Sequence, residues 1–135
     1  DFWLGHWQVT APDDKIVRFN KISKINDGCT LLEEYSSPSG YQGKSFNIYN
    51  KKTKQWHQTW VDSSGLLLEL EGGMIGNNMV LQGKTTNKKN QSIINKITWT
   101  PNKDKSVRQH WQVSKDGGET WQTIFDGHYQ QEVAL

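Results

Sequence analysis

At 135 residues the chain is the size of one domain, and although only 33% of it is hydrophobic, seven Trp, four Tyr and four Phe supply large rings for a core. The formal charge of +2 excludes the strongly basic footprint of a nucleic-acid or anionic-membrane binder, and no apolar run approaches the length of a membrane-spanning helix. The single cysteine, Cys29, excludes an internal disulfide and a zinc site built on cysteine pairs; beside Leu31 and Leu32 it reads as a buried, inert thiol.

The chain starts at Asp1 without an initiator Met, as a mature protein does after a leader is removed. This predicts a periplasmic or secreted location, with the cytoplasm as the alternative. Lys51, Lys52 and Lys54 form one basic turn and Lys84, Lys88 and Lys89 another, both read as solvated loop tips because no aromatic residues interleave with them.

In chain order, clusters of Gly, Asn, Asp and Pro cut the sequence at short intervals, beginning with Ala11-Pro12-Asp13-Asp14 and ending with Lys115-Asp116-Gly117-Gly118. Between them lie runs of strand length, and no stretch keeps a helical apolar period for more than about two turns. The spacing predicts strands near residues 5–10, 15–25, 29–36, 43–50, 54–62, 66–71, 78–85, 93–100, 106–114 and 120–130. Gly72-Gly73 falls between two of them as a turn. About ten antiparallel strands joined by tight turns form a meander, and a meander that long closes or splits to manage its edges. A closed barrel then either encloses a ligand or is filled by side chains.

Alternation assigns each strand two faces. Ser45, Asn47 and Tyr49 share one, opposite Phe46 and Ile48. Trp56, Gln58, Trp60 and Asp62 oppose His57, Thr59 and Val61, and Arg108, His110 and Gln112 oppose Val107, Gln109, Trp111 and Val113. Rings mixed with hydrogen-bonding groups suit a ligand cavity or a satisfied buried network. The candidate ligand-binding residues are therefore Asn47, Tyr49, Trp56, Gln58, Trp60, Asp62, Trp99, Arg108 and Gln112. Arg108 with Gln58 would hold a carboxylate or carbonyl; alternatively Arg108 clamps the barrel end by ion pairing or stacking, with Trp7 as a partner.

Signals for catalysis are sparse, and no catalytic residue or metal site is assigned. His6, His57, His110 and His128 never fall at the paired spacings of a metal site. Glu33 and Glu34 point to opposite faces of one strand, and neither a nucleophile elbow nor a phosphate-binding loop is present. An enzyme of hydrolase or isomerase type would use Asp62 or Glu34 with His110. A homodimer formed through exposed aromatics is a third reading.

Phe2-Trp3-Leu4-Gly5-His6-Trp7-Gln8-Val9, Asp27 through Glu34, Gly43 through Tyr49, Trp56 through Asp62, Ile97 through Pro101 and Val107 through Trp121 together resemble the DUF1579 family of bacterial proteins of unknown function. Gln112 stands where an acidic residue is common in that pattern, and Tyr35 where Trp is common. The resemblance implies an all-β, lipocalin-like (calycin) barrel and an export signal, with no established reaction. Leu4-Gly5-His6-Trp7 is also similar to the opening of nitrobindin-type haem barrels, which implies His128 as the candidate haem ligand. The leading expectation is a non-enzymatic, single-domain barrel, residues 1–135, holding a small hydrophobic or amphipathic molecule with no cofactor, no nucleic acid and no membrane partner.

Overall fold

Gly5 opens the first strand with φ at +132°, a conformation that L side chains rarely adopt, and a Cβ there would lie 2.8 Å from the Gln131 side chain. From it β1 (Gly5–Ala11) alternates, burying Trp7 and Val9 while His6 and Gln8 stay exposed. The computed structural model describes residues 2–12 and 14–132, and nine further strands follow: β2 (Asp14–Ile25), β3 (Thr30–Ser36), β4 (Gln42–Asn50), β5 (Gln55–Asp62), β6 (Leu67–Ile75), β7 (Asn78–Thr86), β8 (Ser92–Pro101), β9 (Val107–Ser114) and β10 (Gln122–Gln131). Each pairs with its sequence neighbours, and β10 returns to β1 to close a ten-stranded antiparallel barrel. Trp7 lies opposite Gln131 and Val9 opposite Tyr129 across that seam. Closure leaves no strand edge to protect.

The expected all-β, calycin-like barrel is therefore the fold. The largest departure in strand boundaries is β6, which runs through Gly72 and Gly73 to Ile75. Gly72 belongs to the strand because the backbones crowd there: a Cβ on it would sit 2.1 Å from the Val80 carbonyl oxygen, whereas Gly73 faces open space. The expected turn at Ala11–Asp14 includes Asp13, which lies outside the described residues. Cys29 is exposed, contrary to expectation. The 3-10 turn at Asn26–Gly28 continues through it, with Cys29 N donating to Asn26 O at 3.1 Å, so burial begins at Thr30. Both groups of lysines are exposed. Among the described residues no helix is long and apolar enough to cross a membrane.

One barrel end is shut by the segment leading into β1. Trp3 is buried edge-on to Trp99 with centroids 5.7 Å apart, and its carbonyl accepts the Trp7 indole N–H at 2.7 Å. Trp7 itself meets Tyr129 edge-on at 5.9 Å. The partner expected for Trp7 was Arg108, but Arg108 lies on the outer wall. Burying an indole at 1% exposure while satisfying its N–H secures both its area and its polar atom. Ile22, Leu70, Leu81, Ile97 and Val107 complete the core around these rings.

Candidate ligand-binding site

Away from the Trp3 end, a cavity of about 210 Å³ opens inside the barrel. Its walls come from the inward faces of β3, β5, β6, β8, β9 and β10. β3 contributes Glu33 and Tyr35, β5 contributes Gln58 and Trp60, β6 contributes Leu68, β8 contributes Ile97 and β9 contributes Gln109 and Trp111. Phe125 and Tyr129 come from β10, and Tyr41 leans in from just before β4. Ile124 joins them because the β9–β10 register shifts between Thr123 and Phe125, so one extra residue is accommodated there. Tyr41 and Ile124 are also exposed, at 36% and 51%, and so mark the mouth.

At the inner end of the cavity, hydrogen bonds converge on one carboxyl. Ser45 Oγ donates to Glu33 Oε1 at 2.6 Å and Asn20 Nδ2 donates to Glu33 Oε2 at 2.7 Å. Ser45 Oγ in turn accepts from Asn47 Nδ2 at 2.8 Å, and Asn47 Oδ1 accepts from Gln58 Nε2 at 2.9 Å. On the other side Asn20 Nδ2 also donates to Tyr129 OH at 2.9 Å, and that hydroxyl donates to Gln109 Oε1 at 2.6 Å. Glu33 is 2% exposed. Burial pushes its carboxyl up from the usual value, while the bonds from Ser45 and Asn20 pull the other way. Burial likewise raises the Tyr129 phenol, with the Glu33 charge adding to it. No basic side chain is paired with Glu33 among the described residues.

A second carboxylate organises the mouth. Asp62 Oδ2 accepts from Tyr41 OH at 2.6 Å and Trp60 Nε1 at 2.9 Å, while Oδ1 accepts from Ser64 N at 2.9 Å and Ser64 Oγ at 2.5 Å. Desolvation opposes the charge, but these donors outweigh it and hold Asp62 at about 2. Tyr41 is pushed well up by its own burial and by Asp62. Tyr35 meets both Tyr41 and Trp60 edge-on, at 6.1 and 6.2 Å, so the rings brace one another.

Of the residues expected to bind ligand, Gln58 and Trp60 line this cavity and Asp62 anchors its mouth. Asn47, Trp56 and Trp99 instead line a second cavity of about 60 Å³ toward the closed end, room for no more than a few waters. Tyr49 is 42% exposed and packs edge-on against Trp56 at 5.9 Å, outside both cavities.

Arg108 and Gln112 are corrections. Both lie on the outward face of β9, because Val107, Gln109, Trp111 and Val113 take the inward one. Arg108 is bound by Asp126, with Nε to Oδ1 and Nη2 to Oδ2 both 2.8 Å.

The pairs considered for catalysis do not assemble. His110 shares the outward face and its Nε2 lies 2.9 Å from Thr123 Oγ1, whereas Glu34 faces outward opposite Lys21 and Lys44. Asp62 is at the mouth, bonded to Tyr41, Trp60 and Ser64. His128 is exposed opposite Arg108 on the outer wall, so it presents no haem ligand to the interior. Among the described residues no group of three or more His, Cys, Asp and Glu could hold a metal ion.

Glu33, Gln109, Tyr35, Tyr41, Trp111, Phe125 and Tyr129 were not singled out by the sequence. For Gln109 a signal existed, since it shares its face with Val107, Trp111 and Val113. For Glu33 the signal was its position between Leu31 and Tyr35 on one face.

No family model matches the chain. A local match of 33 residues at 52% identity links it to "Bowman-Birk type proteinase inhibitor A6" of Hyacinthus orientalis, covering 24% of this chain and 49% of that protein. A stretch of that length does not extend over the barrel, and the chain spans about half of the inhibitor's length.

Proposed function

We propose that the chain is a lipocalin-like binding barrel that takes a small hydrophobic or amphipathic molecule into the cavity beneath Tyr41 and Ile124, without transforming it. The observation that carries this reading is the cavity itself: about 210 Å³, walled by six aromatic rings among the described residues, with polar groups gathered at one side. Size bounds the ligand. A cavity of about 150 Å³ takes up benzene, and drug-sized ligands need about 300–1,000 Å³. A single ring with a short substituent, or a short chain, is the fitting class.

The test combines native mass spectrometry of protein purified from its own source with thermal unfolding against single-ring and short-chain compounds. A bound species, or a raised unfolding temperature from at least one compound, is expected, and Leu68→Phe, which fills the cavity, should abolish it. Bare protein mass together with no shift from any compound would overturn the proposal.

A further inference from the structure

We propose that the cavity selects small primary amines, taken up as ammonium ions with Glu33 as their counter-charge; this rests on the interior-binding reading above. Glu33 is the one charged side chain among the described residues that line the cavity. The hydrogen bonds around it run toward it. Ser45 Oγ already accepts from Asn47, so its proton goes to Glu33 Oε1, and Asn20 offers an N–H to Oε2. This is the pattern around an acceptor-only carboxylate, and each of its oxygens has about two lone-pair sites. One donor per oxygen leaves capacity for another.

A buried carboxylate with no basic partner among the described residues is costly. An arriving cation supplies the charge that the protein withholds. Gln58 spends its amide N–H on Asn47 Oδ1, which leaves its carbonyl oxygen as a second acceptor on the cavity wall. The rings of Tyr35, Tyr41, Trp60, Trp111 and Phe125 add faces that attract cations and reject anions. A carboxylate ligand would meet Glu33 as a like charge, and an alcohol would gain one hydrogen bond without charge compensation. The amine is the class that uses the carboxylate, the second acceptor and the rings together.

The experiment titrates the protein at neutral pH with benzylamine, benzyl alcohol and benzoate, which share a ring and differ in the group presented to Glu33. Benzylamine is expected to bind at least about tenfold more tightly than the alcohol, a difference of about 1.4 kcal/mol, with benzoate weakest. Glu33→Gln should bring the amine down to the level of the alcohol, with a much smaller loss for the alcohol, which gives up charge assistance to one hydrogen bond and no ion pair. Alcohol or benzoate binding as tightly as the amine, or full amine affinity in Glu33→Gln, would overturn amine selection while interior binding stands. Failure of all three probes to bind would overturn both. Should Glu33→Gln not fold, the comparison of probes in the unaltered protein decides alone.

Discussion

The indole of Trp60 lies across the α-carbon of Gly43: a Cβ built on Gly43 would come within 2.3 Å of Trp60 Cζ2 and 2.4 Å of Cη2. Gly43 stands opposite Asp62 on β5, so Trp60 reaches it diagonally, and Tyr35 flanks it on β3. Gly43 is therefore the floor on which one wall of the cavity rests. Gly43→Ala should displace the ring at a cost of about 1–3 kcal/mol, as overpacking does. Denaturant unfolding and tryptophan emission measure the two effects. An alanine variant with the stability and emission of the parent would mean that the ring has no need of the glycine.

The same ring depends on Asp62, which also receives Tyr41 and the turn at Ser64. Held at about 2 against the ordinary 3.8, its carboxylate binds fewer protons folded than unfolded between those values. Its contribution is thus present above 3.8 and lost as pH falls toward 2. Asp62→Asn should cost about 1–2 kcal/mol at neutral pH, discounted for partial solvent screening at the mouth. The variant's unfolding temperature should also respond less to acid below pH 4. An identical acid response in the two proteins would remove Asp62 from this role.

The architecture was legible because turn residues punctuate the chain at nearly every hairpin, and such punctuation is local chemistry. Gly72-Gly73 reads as a turn although Gly72 serves close backbone approach, a need that arises only once β6 and β7 are paired. On β5 alternation groups Trp56, Gln58 and Trp60 on one face, and the structure turns that face inward. On β9 the alternation is equally clear, with Val107, Trp111 and Val113 on one side, but polarity points to Arg108 and Gln112 on the other. Glu33 escaped for a different reason. A carboxyl can face inward when Ser45 and Asn20 meet it, and those partners come from two other strands, β4 and β2. Sequence alternation names a face; it does not show what waits across the barrel.

Glu33 also makes a stability prediction. Burial raises its carboxyl above 4.5, so over a range above that value the folded protein holds a proton that the unfolded chain has released, and above that range Glu33 stands as the carboxylate that Ser45 and Asn20 surround. Between 4.5 and the raised folded value the native state binds more protons, and stability falls as pH rises through that window. His110 acts oppositely: desolvation and then Arg108 lower it from 6.5, so its share of stability grows as pH rises toward 6.5. Comparison with Glu33→Gln separates the two, because His110 is common to both proteins. The unfolding temperature of the parent minus that of the variant should decline from pH 4.5 upward. A difference independent of pH would show that Glu33 keeps an ordinary acidity.

Arg108 tests the assignment of inside and outside directly. Its guanidinium makes two 2.8 Å bonds to Asp126, yet its side chain is 50% exposed and that of Asp126 25% exposed. An ion pair this exposed to solvent and salt contributes about 0–1 kcal/mol even with good geometry. Arg108→Ala should therefore shift stability by no more than about 1 kcal/mol, an effect further reduced in high salt. Ligand affinity should not change, because no Arg108 atom faces the cavity that Gln109 and Trp111 line. The comparison is Gln109→Leu, which removes the acceptor of the Tyr129 hydroxyl and leaves a buried phenol without its 2.6 Å partner. That variant should lose about 1–3 kcal/mol and alter ligand binding. If Arg108→Ala weakened binding while Gln109→Leu did not, the two faces of β9 would have to be exchanged.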